Sequence, residues 1–158
     1  MLDSTTPLES LPNDLDRVAL YYNGHVGNLN GNVPSGKNWQ RVYWIDVLNA
    51  NPHECSILDI ETGDASPRDI LTWVPARLDK DPSYLCRLYS NLSTWKSVQF
   101  YVAQLSDAQR KQVRYWIANP TMAKHVVNGS CATQWYWGNM DTPPVNFDRS
   151  EVAPCWDA

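Results

Sequence analysis

Ser56-Ile57-Leu58-Asp59-Ile60-Glu61-Thr62-Gly63-Asp64-Ala65-Ser66-Pro67 decides the fold. Residues 56–60 form a short apolar run closed by a Gly-Asp turn signal, the pattern of a buried strand. A helix start follows at once. Ser66 is a cap residue, Pro67 suits the first helical position, and Asp69 completes a Ser-x-x-Asp box. Ile70, Leu71, Val74 and Leu78 give that helix one apolar face, and Pro75 predicts a kink or an end within it. An apolar strand feeding directly into a capped helix is the repeating unit of a parallel sheet with helices outside.

The same alternation extends both ways along the chain. Residues 18–22 (VALYY) and 42–48 (VYWIDVL) read as strands. Between them, residues 23–38 are rich in Gly and Asn and form a loop where a crossover helix is expected. Downstream, 84–89 is a strand and Ser93 or Thr94 caps a helix with Val98, Tyr101, Val102 and Leu105 on one side. Ser106 opens a short helix through Lys111, and 113–118 (VRYWIA) and 131–137 (CATQWYW) are the last strands. Six strands are too few for an ordinary eight-fold barrel, which takes roughly 200 residues or more. The expected fold class is therefore α/β: a shortened or open (β/α) barrel, with mainly parallel strands and outer helices. Residues 1–16 are an extended arm, 17–148 the barrel domain, and 149–158 a tail, with the whole of 138–158 irregular.

Composition narrows the function. The chain has 158 residues, 43% hydrophobic and 19% charged, which suits one globular domain and not a disordered segment. No apolar run approaches the ~18 residues of a bilayer span, and the first residues lack the pattern of a signal peptide. A net charge of −4 is a poor match to a phosphate backbone, so no nucleic-acid partner is expected. Phosphate-binding Gly-rich loops and the Gly-x-Ser-x-Gly elbow are absent from the sequence. Eight Trp and eight Tyr against two Phe suit cores, interfaces and sugar clefts, where a flat apolar ring with a polar handle is useful.

Cys55, Cys86, Cys131 and Cys155 form no close pair of the kind zinc sites use. Three disulfide pairings are open. Cys55, Cys86 and Cys131 lie beside or within apolar segments and read as buried free thiols; Cys155, in the tail, is the candidate for a surface or bridged thiol. His25, His53 and His125 are far apart, so neither a metal nor a cofactor is expected.

The strand ends carry acids, amides and aromatics. Asp59 and Glu61 are the sharpest feature: residues i and i+2 of a strand face one side, about 6.5–7 Å apart at Cα. Two carboxyls so placed repel, and one keeps its proton toward neutral pH. A protonated carboxyl beside an ionised one is what glycosidic cleavage requires.

Five ordered segments resemble the family 25 glycoside hydrolases, the lysozyme-type muramidases, in the short form of actinobacteria and their phages. They are Ile57-Leu58-Asp59-Ile60-Glu61-Thr62-Gly63-Asp64, Trp73-Val74, Leu88-Tyr89-Ser90-Asn91, Tyr115-Trp116-Ile117-Ala118 and Ala132-Thr133-Gln134-Trp135. The resemblance spans residues 17–148 and implies a (β/α) barrel acting on the peptidoglycan backbone. It implies Glu61 as proton donor, Asp59 as the group that orients the substrate acetamide or stabilises the intermediate, and Asp141 as the C-terminal acid of the cleft. Tyr89, Trp116, Gln134 and Trp135 would line the sugar site. The family's acid at the end of its first strand has Tyr22-Asn23-Gly24 as its nearest counterpart, so Tyr22 and Asn23 join the substrate-binding set. The expected function is a muramidase-type cell-wall hydrolase of a virion or bacterial cell wall. The alternative is a catalytically degenerate virion structural, decoration or glycan-binding protein, with arm and tail contacting virion proteins or further copies of the chain.

Overall fold

The computed structural model describes residues 1–4, 11–24, 29–138, 141 and 147–158. His25, residues 5–10 of the arm and the Pro143-Pro144 part of the tail lie outside the described residues. The described chain is a closed eight-stranded barrel. Its strands are β1 (Leu2–Ser4), β2 (Asp14–Tyr21), β3 (Asn38–Asp46), β4 (Ile57–Asp59), β5 (Cys86–Asn91), β6 (Val113–Ala118), β7 (Ala132–Tyr136) and β8 (Asp148–Val152). Neighbours pair in chain order. The ladders from β1 to β7 are parallel, and β8 runs antiparallel to both β7 and β1.

The barrel is therefore neither open nor short of strands. Two strands come from segments whose sequence carries no strand signal. β1 has only three residues, and β8 reads Asp-Arg-Ser-Glu-Val, without an apolar alternation. Edge pairing on both sides makes them strands, not propensity. Arm and tail are thus parts of the barrel wall, and the contact that holds their described residues lies within the chain: the Met1 ammonium donates to the Ser150 carbonyl at 3.1 Å.

The expected coat of outer helices is partial. Among the described residues the α-helices are α1 (Ile70–Lys80), α2 (Leu92–Val102) and α3 (Asp107–Lys111). They cover the β4–β6 side, where Leu58, Ile60 and Leu88 pack against Ile70, Trp73, Val74 and Val98. On the β2–β3 side, Val18 and Leu20 are covered by Leu11, Leu15, Leu29, Trp39 and Phe147 from loops and neighbouring strands.

Local chemistry explains the helix ends. The Ser66 amide and hydroxyl both donate to Asp69, at 2.7 and 2.8 Å, fixing the turn before α1. The helix continues through Pro75 because Trp73 and Val74 before it and Arg77 and Leu78 after it are all buried. α2 is capped by Asn91 and not by Ser93 or Thr94: the Asn91 side-chain oxygen accepts from the Thr94 amide at 2.9 Å and the Ser93 hydroxyl at 2.6 Å. Strand β5 thereby runs straight into the helix without a loop.

Inside the barrel, period-two alternation stacks side chains in layers. Arg17, Arg41 and Arg87 lie at the base and converge on Asp157, which Arg17 reaches at 2.9 Å, Arg87 at 3.3 Å and the Tyr43 hydroxyl at 2.7 Å. Ala19, Tyr43, Ile57, Trp116 and Trp156 fill the middle. Arg87 stacks over Tyr43 and Trp156 at 4.7 and 4.8 Å, so its buried charge meets two ring faces. Cys131 is not a free thiol: it bridges Cys155 and ties the tail to β7, whereas Cys55 and Cys86 are free and buried.

The bridge closes a loop of 24 residues, which restricts the unfolded chain. Replacing both Cys131 and Cys155 by Ala should lower unfolding free energy by about 3 kcal/mol, measured by urea titration. An unchanged midpoint would show that the tail is held without it.

Candidate active site at the barrel mouth

Parallel strands collect functional groups at their carboxyl ends. On β4, Ile57 points inward, Leu58 outward and Asp59 inward. The ladder continues one residue further through the Ile60 amide to the Tyr89 carbonyl at 2.9 Å. Glu61 therefore emerges above Asp59 on the same side. Asp59 is 2% exposed and Glu61 half-buried at the rim.

Two further acids join them. Asp3, on β1, is buried, and Asp148 opens β8. Gln134 on β7 lies between them. Its amide nitrogen donates to Asp3 at 2.8 Å and to Asp148 at 3.2 Å. Its oxygen accepts from the Tyr89 hydroxyl and from the Trp137 indole, both at 2.8 Å. All four hydrogen-bonding positions of the amide are filled, which fixes its orientation. Asp148 also accepts from the Gly138 amide at 2.8 Å. Tyr21, Glu61, Tyr89, Gln134, Trp137 and Asp148 line a hollow of about 240 Å³.

The electrostatics favour protons here. Burial, then the neighbouring Asp148, pushes the Asp3 carboxyl up to about 8. Burial pushes Asp59 well above its ordinary value, with Glu61, Asp64 and Asp3 adding to the rise. Glu61 is raised by burial and by Asp64, against a hydrogen bond from Asn91 that lowers it. Asp148 is raised by burial. The Tyr21 and Tyr89 phenols are also raised by burial and so remain donors. One oxygen each of Asp3 and Asp59 is buried without a hydrogen-bond partner. The Asp3 carboxyl is thus still protonated near neutrality, and burial moves Asp59, Glu61 and Asp148 in the same direction.

Four residues singled out in the sequence meet at this mouth: Glu61, Asp59, Tyr89 and Gln134. The others lie elsewhere. Tyr22 points outward, edge-on to Trp44 at 6.0 Å, and Tyr21 takes the inward place. Asn23 is buried and bonded to Asp46 and Asn51 at 2.9 and 2.7 Å. Asp46 is itself saturated by the Trp73 indole and the amides of Leu48, Ala50 and Asn51. Trp116 is 1% exposed, one layer below the mouth between Tyr89 and Trp156, so no sugar can stack on it. Trp135, the neighbour of inward Gln134, lines a different hollow with Met1, Lys124 and Arg149. Asp141 accepts from the Tyr136 hydroxyl and is not among the lining of the mouth.

Asp3, Asp148, Tyr21 and Trp137 are the site residues that sequence reasoning missed. Tyr21 was within reach of it, because it sits beside the chosen Tyr22 and differs only in strand phase; Trp137 follows the end of β7, in the same run as Gln134 and Trp135. Asp3 and Asp148 carried no signal, because the strands that hold them carried none. Among the described residues no cluster of His, Cys, Asp and Glu is arranged to hold a metal ion. No protein-family model, curated protein or solved structure matches the chain.

The raised acids make stability depend on pH. A carboxyl whose folded pKa lies above its unfolded value stabilises the fold most when protonated. For Asp3 that contribution is complete below the ordinary value of 3.8 and is lost as pH rises toward 8. Urea unfolding should therefore show the wild type losing stability between pH 5 and pH 8, and Asp3→Asn losing less. Equal losses in the two proteins would remove Asp3 as the source.

Proposed function

We propose that the protein is a glycoside hydrolase of muramidase type, cleaving the glycan backbone of bacterial cell wall. The observation that carries the proposal is the Asp59-x-Glu61 pair at the mouth of a closed barrel, with Asp3 and Asp148 beside it. Such a cluster suits glycosidic cleavage, which needs a proton for the leaving oxygen and negative charge for the cation left behind. Glu61 is the proton donor. It stands at the rim, within reach of a glycosidic oxygen, and its raised pKa keeps the proton available. Asp59 lies deeper and orients the substrate acetamide or stabilises the intermediate. Trp137, 37% exposed and held by Gln134, is the ring on which a sugar face rests.

The resemblance to family 25 supports the same reading. It calls for an acid on the first strand, a place that Asp3 fills once β1 is counted, and for a C-terminal acid, where Asp148 takes the role expected of Asp141. In this reading the barrel is a (β/α) barrel in which loops have replaced several outer helices. The place of action is the cell wall, reached from a virion or a bacterium.

Release of reducing sugar from purified peptidoglycan tests the proposal. Glu61→Gln cannot donate the proton and should cut the rate by about 10²- to 10⁴-fold with an unchanged melting temperature. Equal rates in the two proteins would dismiss Glu61 as the acid. A wild type that binds the glycan and leaves it intact would favour the binding or virion-structural alternative.

A further inference from the structure

Glu61 lines two hollows. One is the mouth, with Tyr21, Tyr89, Gln134, Trp137 and Asp148, of about 240 Å³. The other, of about 300 Å³, lies over the loop from Ile60 to Pro67 and reaches Thr94 on α2. Each has room for one sugar ring and not for several. Their chemistry differs. Carboxyls crowd the first: Asp148 lines it, and Asp3 and Asp59 lie buried with an unpartnered oxygen each. The second presents hydroxyl side chains from Thr62, Ser66 and Thr94, with Asp64 as its acid besides Glu61. Among the described residues, no basic side chain lines either.

We infer that the second hollow is the subsite for the leaving sugar, so that the glycan crosses the mouth with its reducing end over Thr62 and Thr94. The inference rests on the hydrolase reading and gives it a direction. The ring that becomes positively charged must lie over the carboxyls, because its charge is stabilised there. That places it in the first hollow. The proton passes from Glu61 to the glycosidic oxygen as the bond from that oxygen to the charged ring breaks, and the departing sugar keeps the oxygen as a hydroxyl. The departing ring therefore lies on the other side of Glu61. A site of hydroxyls with no cation suits an uncharged hexose-type residue there and gives an anionic one no partner.

A tetrasaccharide of N-acetylglucosamine carrying a nitroxide at its reducing end tests the direction, bound to Glu61→Gln so that it stays intact. Nuclear magnetic resonance should show paramagnetic broadening of the Thr62, Gly63 and Thr94 amides well above that of the Trp137 indole. The reverse pattern, or binding that broadens neither set, would overturn the assignment. Absence of any binding would overturn it together with the glycan reading. A wild type that cleaves nothing while the expected broadening appears would remove the hydrolase activity alone and leave the polarity of the site standing. As a second variant, Thr94→Trp fills the hollow and should weaken tetrasaccharide binding about tenfold. Unweakened binding would count against the subsite.

Discussion

Strand β8 enters between β7 and β1, and the site depends on that closure. A parallel sheet that stopped at β7 would have two open edges and no reason to bring its ends together. The antiparallel strand pairs with both edges at once. In doing so it sets Asp148 beside Gln134, and it holds β1 so that Asp3 lies on the other side of the same amide. Remove the closure and the mouth keeps Asp59 and Glu61 but loses the acids and the indole that Gln134 organises.

The barrel interior separates charge along its axis. Arginines occupy the base, where they converge on Asp157 and Arg87 also meets two aromatic faces. Carboxyls occupy the mouth, and among the described residues no cation lines it. Trp116 and Trp156 stand between the two ends, fully buried, and keep the layers apart. Burial works against the Asp157 carboxylate, but the Tyr43 hydroxyl and Arg17 outweigh it and hold its pKa below the ordinary value. At the mouth burial outweighs the hydrogen bonds that act against it, so the acids there are raised. The same physical cost thus ends in a lowered acid at one end and raised ones at the other, according to the partners present.

Gln134 joins the two halves of the mouth. A carboxylate in its place could not donate to Asp3 and Asp148, and a shorter amide could not span from β7 to both acids and the Trp137 indole. The orientation of the Trp137 indole and the spacing of Asp3 and Asp148 therefore rest on one side chain. The loop that bears Glu61 is held differently, by the Ser66–Asp69 turn and by the strand-to-helix junction at Asn91.

By itself the sequence determined the parallel core and the pair at its centre. The run from Ile57 to Pro67 is legible because a buried strand, a turn and a capped helix leave local signatures, and because a period of two puts Asp59 and Glu61 on one face whatever surrounds them. Strand phase was less secure: where apolar residues run on without alternation, as in Val18 to Tyr22, one residue of slip exchanges Tyr21 with Tyr22. Only the tertiary structure decided that β1 and β8 exist, that Cys131 pairs with Cys155, and that Asp3 and Asp148 belong to the site. Three residues at one end of the chain and five near the other have too little intrinsic preference to be strands alone; they become strands because the open edges of the sheet offer hydrogen bonds that nothing else in the barrel supplies.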